Sequence, residues 1–243
     1  MMYTAHDIAR MIDISVLKFD TTIEQVDAMI AACKQYDIGC AFAMSCYSEY
    51  LGNALAATTT EFGTSLGFPS GQYCTASKVW EAEYFVSLGA DQVDMVLNVG
   101  WLKSGLDKQV GADIAAVRKA TETTSLKVII EASLLSDDEI RRACAIVADC
   151  GADYVKSGTG FSSPTTLHHV AIMEEAIEGT SLKFKVAGGV RDLKTLLQMR
   201  EHGVTRFGIG MPNTLSILQE ALSFPDGVNL SIVSGGAGAG ELY

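Results

Sequence analysis

The sequence predicts an α/β protein that folds as a single parallel (β/α)₈ barrel. Short runs of apolar, β-forming residues alternate along the chain with amphipathic helical stretches, as expected when helices cover parallel strands. The length of 243 residues is close to the roughly 250 residues of one complete barrel. Hydrophobic residues make up 48% of the chain, enough for a large core. An open, doubly wound sheet is the structural alternative.

Eight strands are expected, because eight short runs are almost continuously apolar, as strands buried on both faces are. A single barrel domain over residues 1–233 accommodates all of them, since no linker interrupts the chain. We expect the strands at residues 12–17, 39–44, 64–68, 92–97, 126–131, 153–156, 182–186 and 205–208.

Helices are expected between these strands, with one short helix before the first strand. Thr21 and Glu24 have the spacing of a capping box at the start of the clearest helix. Gly89, Gly151 and Gly203 follow helical stretches and can adopt the left-handed conformation that ends a helix. The longer helices are expected at residues 23–36, 48–58, 75–88, 107–121, 136–149, 164–178, 193–202 and 214–223.

The charge and the cysteines restrict the possible classes of protein. A net charge of −11 repels phosphate backbones, so nucleic acid is not expected as a partner. The six cysteines lack C-x-x-C and zinc spacing; we expect reduced, structural thiols, with disulfides, metal ligands or a nucleophile as alternatives. No signal peptide or apolar run of ~18 residues is found. We therefore expect a soluble, cytoplasmic protein without membrane association, metal or cofactor.

Residues 234–243 differ in composition from the rest of the chain. Alternating glycine and alanine cannot pack into a core, so we expect a flexible tail. The segment ends at Tyr243.

Charged residues lie inside or just beyond five of the apolar runs. Catalytic groups of such barrels project from the carboxyl ends of strands. Buried charges are costly unless they are paired, and clusters of perturbed groups mark functional sites. The five residues are Asp13, Asp94, Glu131, Lys156 and Lys185.

The two lysines are the most informative of these residues. A lysine amine is a nucleophile only when it is neutral, and its ordinary pKa of about 10.4 keeps it protonated at pH 7. Burial and a second cation nearby lower that pKa, as in lysines that form Schiff bases. Lys156 and Lys185, on two strands of a closed barrel, could form such a pair. The alternative is that each reaches the rim and forms an ordinary salt bridge.

Glycine-rich segments follow both lysines. Gly158 and Gly160 come after Lys156, and Gly188 and Gly189 come after Lys185. Glycine lets the backbone approach an anion, and a helix starting at Pro164 or Asp192 would add oriented N–H groups. These loops are candidate phosphate cradles; a tight turn between strand and helix is the simpler interpretation.

Six segments occur together in a recognisable order: GFPSG at 67–71, GADQVDMVLN at 89–98, LKSG at 102–105, KVIIE at 127–131, VKSGTGF at 155–161 and FKVAGGVR at 184–191. In this respect nearly the whole chain resembles the deoxyribose-phosphate aldolase family. The resemblance implies a class I aldolase on a (β/α)₈ barrel that cleaves 2-deoxyribose 5-phosphate to acetaldehyde and glyceraldehyde 3-phosphate. It also implies a homo-oligomer, a dimer or a tetramer.

The resemblance assigns roles to individual residues. Lys156 would form the imine, Lys185 would lower its pKa, Asp94 would shuttle protons through a water, and Tyr243 would assist proton transfer at the donor carbon. The residues expected to contact the substrate are Asp13, Ser15, Thr159, Gly160, Gly188, Gly189, Gly208 and Gly210.

The chain departs from the family pattern at several positions. Gly210 and Met211 stand where serine side chains would contact the phosphate, Ser15 replaces a threonine, and Phe42 replaces a cysteine. A related aldolase with a different or unphosphorylated acceptor is therefore the alternative. Two other classes are a silent phosphosugar-binding barrel and an isomerase, which would need a carboxylate base.

Overall fold

The chain forms a closed barrel of eight parallel strands in sequence order, seen in a computed structural model that describes residues 1–235. Each strand pairs with the next, and the eighth pairs with the first. The predicted (β/α)₈ fold is confirmed. The strands are β1 (Ile12–Val16), β2 (Cys40–Ala43), β3 (Glu61–Leu66), β4 (Gln92–Val96), β5 (Ser125–Ile129), β6 (Tyr154–Lys156), β7 (Lys183–Ala187) and β8 (Arg206–Gly210).

Helices surround the barrel and bury one face each. In the helix after β1, for example, Val26, Met29, Ile30 and Cys33 are buried, the spacing of one helical face. The helices are α1 (Ala5–Met11), α2 (Ile23–Tyr36), α3 (Ser48–Leu55), α4 (Thr75–Ser87), α5 (Val99–Lys103), α6 (Asp107–Ala120), α7 (Asp137–Asp149), α8 (Leu167–Ile177), α9 (Leu193–Glu201), α10 (Met211–Leu222) and α11 (Leu230–Gly235).

Several predicted boundaries are wrong. β3 begins at Glu61 rather than at residue 64, and α8 begins at Leu167 rather than at Pro164. The side chain of Thr166 caps α8 by accepting from the backbone N–H of His169, so the helix starts after the proline. The capping box of α2 is formed by Thr22 and Gln25, one residue later than predicted. The short helices α5 and α11 were not predicted.

The strand register determines which side chains share the interior of the barrel. Neighbours in register point to the same face of a sheet, and side chains alternate along each strand. Asp13 is in register with both Cys40 and Gly208, and Lys156 is in register with Lys185. The interior thus receives polar residues, while the intervening residues face the helices. Those outward residues, such as Ile14, Val93 and Val128, are fully buried and form the apolar core.

The ends of the described chain meet on one side of the barrel. Tyr3 and Val228 form an isolated bridge with two backbone hydrogen bonds. Helix α11 extends to Gly235 and so includes the first two residues of the predicted tail. The rest of that tail, with Tyr243, lies outside the described residues. Within residues 1–235, no helix has both the length and the apolar character needed to cross a membrane.

Candidate active site

A cavity of about 800 Å³ opens at the carboxyl end of the strands, within the usual size range of small-molecule sites. Lys156 and Lys185 line it, and so do all eight residues that were expected to contact a substrate. These eight are Asp13, Ser15, Thr159, Gly160, Gly188, Gly189, Gly208 and Gly210.

The two lysines share one carboxylate at the floor of this cavity. The Nζ atoms of Lys156 and Lys185 each lie 2.7 Å from Oδ2 of Asp94. Lys185 also lies 2.5 Å from Oδ2 of Asp13. Lys156 is 4% exposed and Lys185 is 1% exposed. The alternative in which each lysine forms a salt bridge at the rim is therefore wrong.

A second set of charges lies below this group. Nη2 of Arg206 forms an ion pair with Oδ1 of Asp13 at 2.7 Å and donates a hydrogen bond to Oε2 of Glu61 at 2.9 Å. Lys127 is fully buried, with its Nζ 3.8 Å from Oδ1 of Asp94, and it also donates to Gln92. Neither Lys127 nor Arg206 is among the site residues predicted from the sequence. Their position becomes evident only from the register, which pairs Lys127 with Asp94 and Arg206 with Lys185.

Three carboxylates and three lysine or arginine side chains other than Lys156 form this network. A proton on Lys156 would therefore add one more positive charge in a buried place. The carboxylates are Asp13, Glu61 and Asp94, and the cations are Lys127, Lys185 and Arg206.

The pKa of Lys156 is lowered to about 8. Burial is the largest cause, because it disfavours the charged form, and the Lys185 cation lowers the pKa further; Asp94 opposes both. Lys185 lowers this pKa, as the family resemblance implies, but less than burial does. A lysine with a pKa near 8 is partly neutral at physiological pH.

Lys185 behaves in the opposite way. Burial alone would lower its pKa, but the adjacent carboxylates of Asp13 and Asp94 outweigh burial and raise it. Burial likewise opposes the ionised forms of these two carboxylates, yet the surrounding cations hold both of their pKa values below the usual range. The pair therefore consists of a permanent cation, Lys185, and a titratable amine, Lys156.

Unlike the two lysines, Asp94 and Glu131 lie behind the cavity wall. Asp94 is fully buried beneath the lysines and is not among the residues that line the cavity. Glu131 accepts a hydrogen bond from the backbone N–H of Thr159 at 3.1 Å. It thus fixes the loop between β6 and α8 from behind, and it does not line the cavity either.

The glycine loops after β6 and β7 touch each other at the cavity wall. Gly160, Gly188 and Gly189 all have positive φ angles, of 86°, 81° and 101°, which glycine adopts without strain. A Cβ on Gly188 would lie 3.4 Å from Cα of Gly160. Helix α9 begins after its cap Asp192, as predicted. Backbone N–H groups are therefore available in both loops.

The mouth of the cavity combines apolar and cationic side chains. Phe161 packs against Phe19 at 5.0 Å and against Phe68 at 5.3 Å between ring centroids. Lys18 and Arg191, both exposed, also line the cavity. At the start of α10, Gly210 and Met211 line it without a hydroxyl group, and a Cβ on Gly210 would meet no atom within 4 Å.

Metal ligation requires several donors close together. Among the residues that the structure describes, no group of three or more His, Cys, Asp or Glu side chains is arranged to hold a metal ion. Cys40, in the barrel interior, has a pKa raised well above its ordinary value, chiefly because it is buried.

Comparison with known proteins agrees with this geometry. Residues 8–219 match the model of the DeoC/LacD family of aldolases. A deoxyribose-phosphate aldolase from Staphylococcus carnosus (strain TM300) is 39% identical over 203 residues, which cover 83% of this chain and 92% of the relative. One from Coprothermobacter proteolyticus is 38% identical over 212 residues, 87% of this chain and 95% of the relative.

A solved structure named "QR15, an Aldolase" superposes with a TM-score of 0.84 at 29% identity, over 90% of this chain and 97% of the other. The family match covers most of the barrel, including both lysines and Asp94. The chain therefore belongs to the DeoC/LacD family of aldolases.

Proposed function

We propose that this protein is a class I aldolase that reversibly cleaves 2-deoxyribose 5-phosphate to acetaldehyde and glyceraldehyde 3-phosphate, with Lys156 as the lysine that forms the imine. The observation that carries the proposal is the buried pair of lysines on one carboxylate, in which one lysine stays cationic and the other titrates near pH 8. The named relatives are deoxyribose-phosphate aldolases, which supports this substrate.

The first step is attack of the neutral Lys156 amine on the aldehyde carbon of the open-chain sugar. The resulting carbinolamine takes up a proton on its hydroxyl group and loses water, which leaves a protonated imine. Asp94 contacts both Lys156 and Lys185, so the protonated Lys185 can supply a proton through it and later take that proton back. Because Asp94 touches both lysines directly, it can pass protons between them. Transfer through a water, as the resemblance implies, would require a water in contact with Asp94.

The protonated imine then serves as the electron sink for cleavage. Loss of the proton from the 3-hydroxyl group forms the new carbonyl, and the bond between C2 and C3 breaks. Its electron pair forms the enamine on Lys156, and glyceraldehyde 3-phosphate leaves. Protonation at C2 and hydrolysis release acetaldehyde and the free amine. Tyr243, which lies outside the described residues, is proposed to supply the proton at C2.

The phosphate end of the substrate needs donors that offset the negative charge of the protein. We propose backbone N–H groups of Gly188 and Gly189, with Lys18 and Arg191 at the mouth. Backbone donors need no side chain, so the missing serines do not remove the whole site. Asp13 and Ser15 line the same cavity and are proposed to contact the sugar.

A second candidate is the same donor chemistry with a less polar acceptor aldehyde. It is favoured by the mouth, to which Phe19, Phe161 and Met211 contribute apolar side chains. A silent binding barrel would have no need of an amine with a lowered pKa. An isomerase would need a carboxylate base in the cavity. Asp13 lines it, but this residue is paired with Lys185 and Arg206.

The direct test is an assay of 2-deoxyribose 5-phosphate cleavage in which both aldehyde products are identified. We expect equal amounts of acetaldehyde and glyceraldehyde 3-phosphate. Activity that persists after borohydride treatment in the presence of acetaldehyde would contradict an imine mechanism. Cleavage of an unphosphorylated analogue at a higher kcat/KM would favour the second candidate.

The assembly and location of the protein also stay proposals. We propose a homo-oligomer, a dimer or tetramer, supported by the exposed, stacked pair of Trp80 and Tyr84 on α4. Light scattering measures the mass directly, and a monomeric mass would contradict this. A cytoplasmic location is a prediction from the sequence.

A further inference from the structure

Phe42 is the aromatic side chain nearest the two lysines. It lies on β2, in register with Ser15 on β1 and Gly63 on β3, and it lines the cavity while being only 3% exposed. Its ring centroid is 4.3 Å from Nζ of Lys185 and 5.9 Å from Nζ of Lys156. The first distance is well within the range in which an aromatic face attracts a cation, and the second is at its outer limit.

Gly63 provides the space for this ring. A Cβ at position 63 would lie 2.3 Å from Cζ and 2.4 Å from Cε2 of Phe42, which is too close for either atom to stay in place. The same Cβ would lie 2.8 Å from Sγ of Cys40. At this level of the barrel interior, β2 therefore contributes a large side chain and the adjoining position of β3 contributes none.

The ring of Phe42 and the carboxylates of Asp13 and Asp94 contact the ammonium group of Lys185 in different ways. Asp13 and Asp94 bind the ammonium through oxygen atoms, and the ring adds a face with negative electrostatic potential. The same ring forms an apolar part of the cavity wall near Lys156. Water that would otherwise solvate a protonated amine is kept from that side.

We propose that Phe42 is a positioning residue for the aldol reaction: seated in the space that Gly63 leaves, its ring holds Lys185 in place and keeps the surroundings of Lys156 dry. This inference rests on the proposed imine function of Lys156. It assigns a role to the position at which the sequence departs from the cysteine of the family.

Other charged groups also face the two lysines, and they are unchanged when Phe42 is altered. They act on the lysines from five strands, so a variant of Phe42 tests the ring against a constant background. These groups are Asp13 on β1, Cys40 on β2, Asp94 on β4, Lys127 on β5 and Arg206 on β8.

The first test measures how the rate of reductive trapping of acetaldehyde by borohydride depends on pH in Phe42→Ala and Phe42→Leu. Removing the ring admits water and loosens Lys185, and both changes favour the protonated form of Lys156. We expect the acid limb of the pH–rate profile, on which trapping slows as the pH falls, to lie about one pH unit higher in Phe42→Ala than in the native protein. Trapping at pH 7 should then be about tenfold slower. Phe42→Leu keeps the apolar wall without the aromatic face, so a smaller shift is expected.

The second test displaces the ring without deleting it. Gly63→Ala should push Phe42 away and shift the acid limb in the same direction. In the Phe42→Ala background, Gly63→Ala should add no further shift, because the ring is already absent. The contact of the new Cβ with Cys40 occurs in both backgrounds and cancels in the comparison.

Phe207→Leu is the matched control. Phe207 is fully buried in the layer that faces the helices, so this variant loses core volume without altering the site and should keep the native acid limb. Circular dichroism confirms that each variant is folded. An unchanged acid limb in folded Phe42→Ala would overturn the inference. Shifts that add when Gly63→Ala and Phe42→Ala are combined would also overturn it. No trapping by the native protein would overturn the proposed function and this inference with it.

Discussion

Lys156 can act as a nucleophile only if its amine loses a proton near neutral pH. Burial supplies most of the reduction in its pKa to about 8, and Lys185 adds to it. Asp94 opposes the reduction, because it stabilises the protonated form. The position of Lys185, held as a cation by two carboxylates, therefore favours the neutral amine on Lys156.

Lys156→Met should abolish activity, with kcat falling by at least about three orders of magnitude. The side chains have similar length, and Asp94 retains Lys185 and Lys127 as cationic partners. The fold should therefore survive, as measured by circular dichroism. Residual cleavage near the native rate would show that another amine forms the imine.

Lys185→Leu should shift the acid limb of kcat/KM to higher pH by about one unit or more. With its positive neighbour removed, Lys156 holds its proton more tightly, and a smaller fraction is neutral at pH 7. Lys183→Leu is the control, because Lys183 lies on the same strand but is exposed. An identical pH profile for native protein and Lys185→Leu would mean that burial alone sets the reactivity of Lys156.

The sequence identified the charged residues of the floor that stand out within apolar runs. Asp13, Asp94, Lys156 and Lys185 were predicted in this way, and all four meet in the structure. Lys127 was not, because its place beside Asp94 follows from the register between β4 and β5. The contact of Phe42 with Lys185 depends on strands that are far apart in sequence.

At the scale of elements, the loops after the strands form the upper part of the cavity. The loop after β6 is tied to Glu131 through the backbone N–H of Thr159, and Ser157 and Thr165 bind each other and the carbonyl of Ala187. These bonds join the loops after β5, β6 and β7. The start of α10, by contrast, presents Gly210 with free space around it.

Glu131→Gln should raise KM by about tenfold with a smaller effect on kcat. The carboxylate accepts a charge-assisted hydrogen bond worth roughly 1.5–3 kcal/mol, and a neutral amide holds the loop less firmly. Glu139→Gln, at a partly buried residue of α7 that pairs with Lys103 outside the cavity, serves as the control. A large loss in kcat with an unchanged KM would indicate that Glu131 acts in the chemistry itself.

Gly210→Ser/Met211→Ser should increase the preference for phosphorylated over unphosphorylated deoxyribose. Each new hydroxyl can donate one hydrogen bond to the phosphate, worth roughly 1.5–3 kcal/mol, or about one to two orders of magnitude in affinity. Position 210 has room for the side chain. The measurement is kcat/KM for both sugars. A native enzyme that already strongly prefers the phosphate, with no gain in the double variant, would show that other groups bind the anion.

The bounds of a strand were predicted well when the strand is apolar throughout and poorly when it begins with other residues. β3 was placed three residues late because it opens with Glu61 and contains Gly63, which lack the β-forming character of the run that follows. α8 was placed early because Pro164 has the character of a first helical residue. In the structure Thr165 and Thr166 follow it as loop and cap.

At the scale of the whole molecule, the buried charges make stability depend on pH. Asp13 and Asp94 have pKa values below those of an unfolded chain, so the unfolded state binds more protons as the pH falls below about 4. Their contribution to stability is present above that pH and is lost as the pH falls toward their folded pKa values.

We therefore expect the melting temperature to fall steeply as the pH drops below about 4, and to fall less steeply in Asp94→Asn. That variant should also be less stable at neutral pH by about 3–5 kcal/mol, since buried cations lose their partner. Asp138→Asn, at a side chain that is 97% exposed, should retain the native slope. Equal slopes in Asp94→Asn and the native protein would contradict the assignment of Asp94 as a buried, ionised carboxylate.

The barrel as a whole brings two lysines together so that only one of them reacts, and identifying that lysine tests this claim most directly. The protein is treated with acetaldehyde and borohydride at pH 7, digested, and analysed by peptide mass mapping. We predict an ethyl group on Lys156 at near-stoichiometric level, with Lys185 unmodified because it stays protonated between Asp13 and Asp94. Modification centred on Lys185, or equal modification of both lysines, would contradict the account.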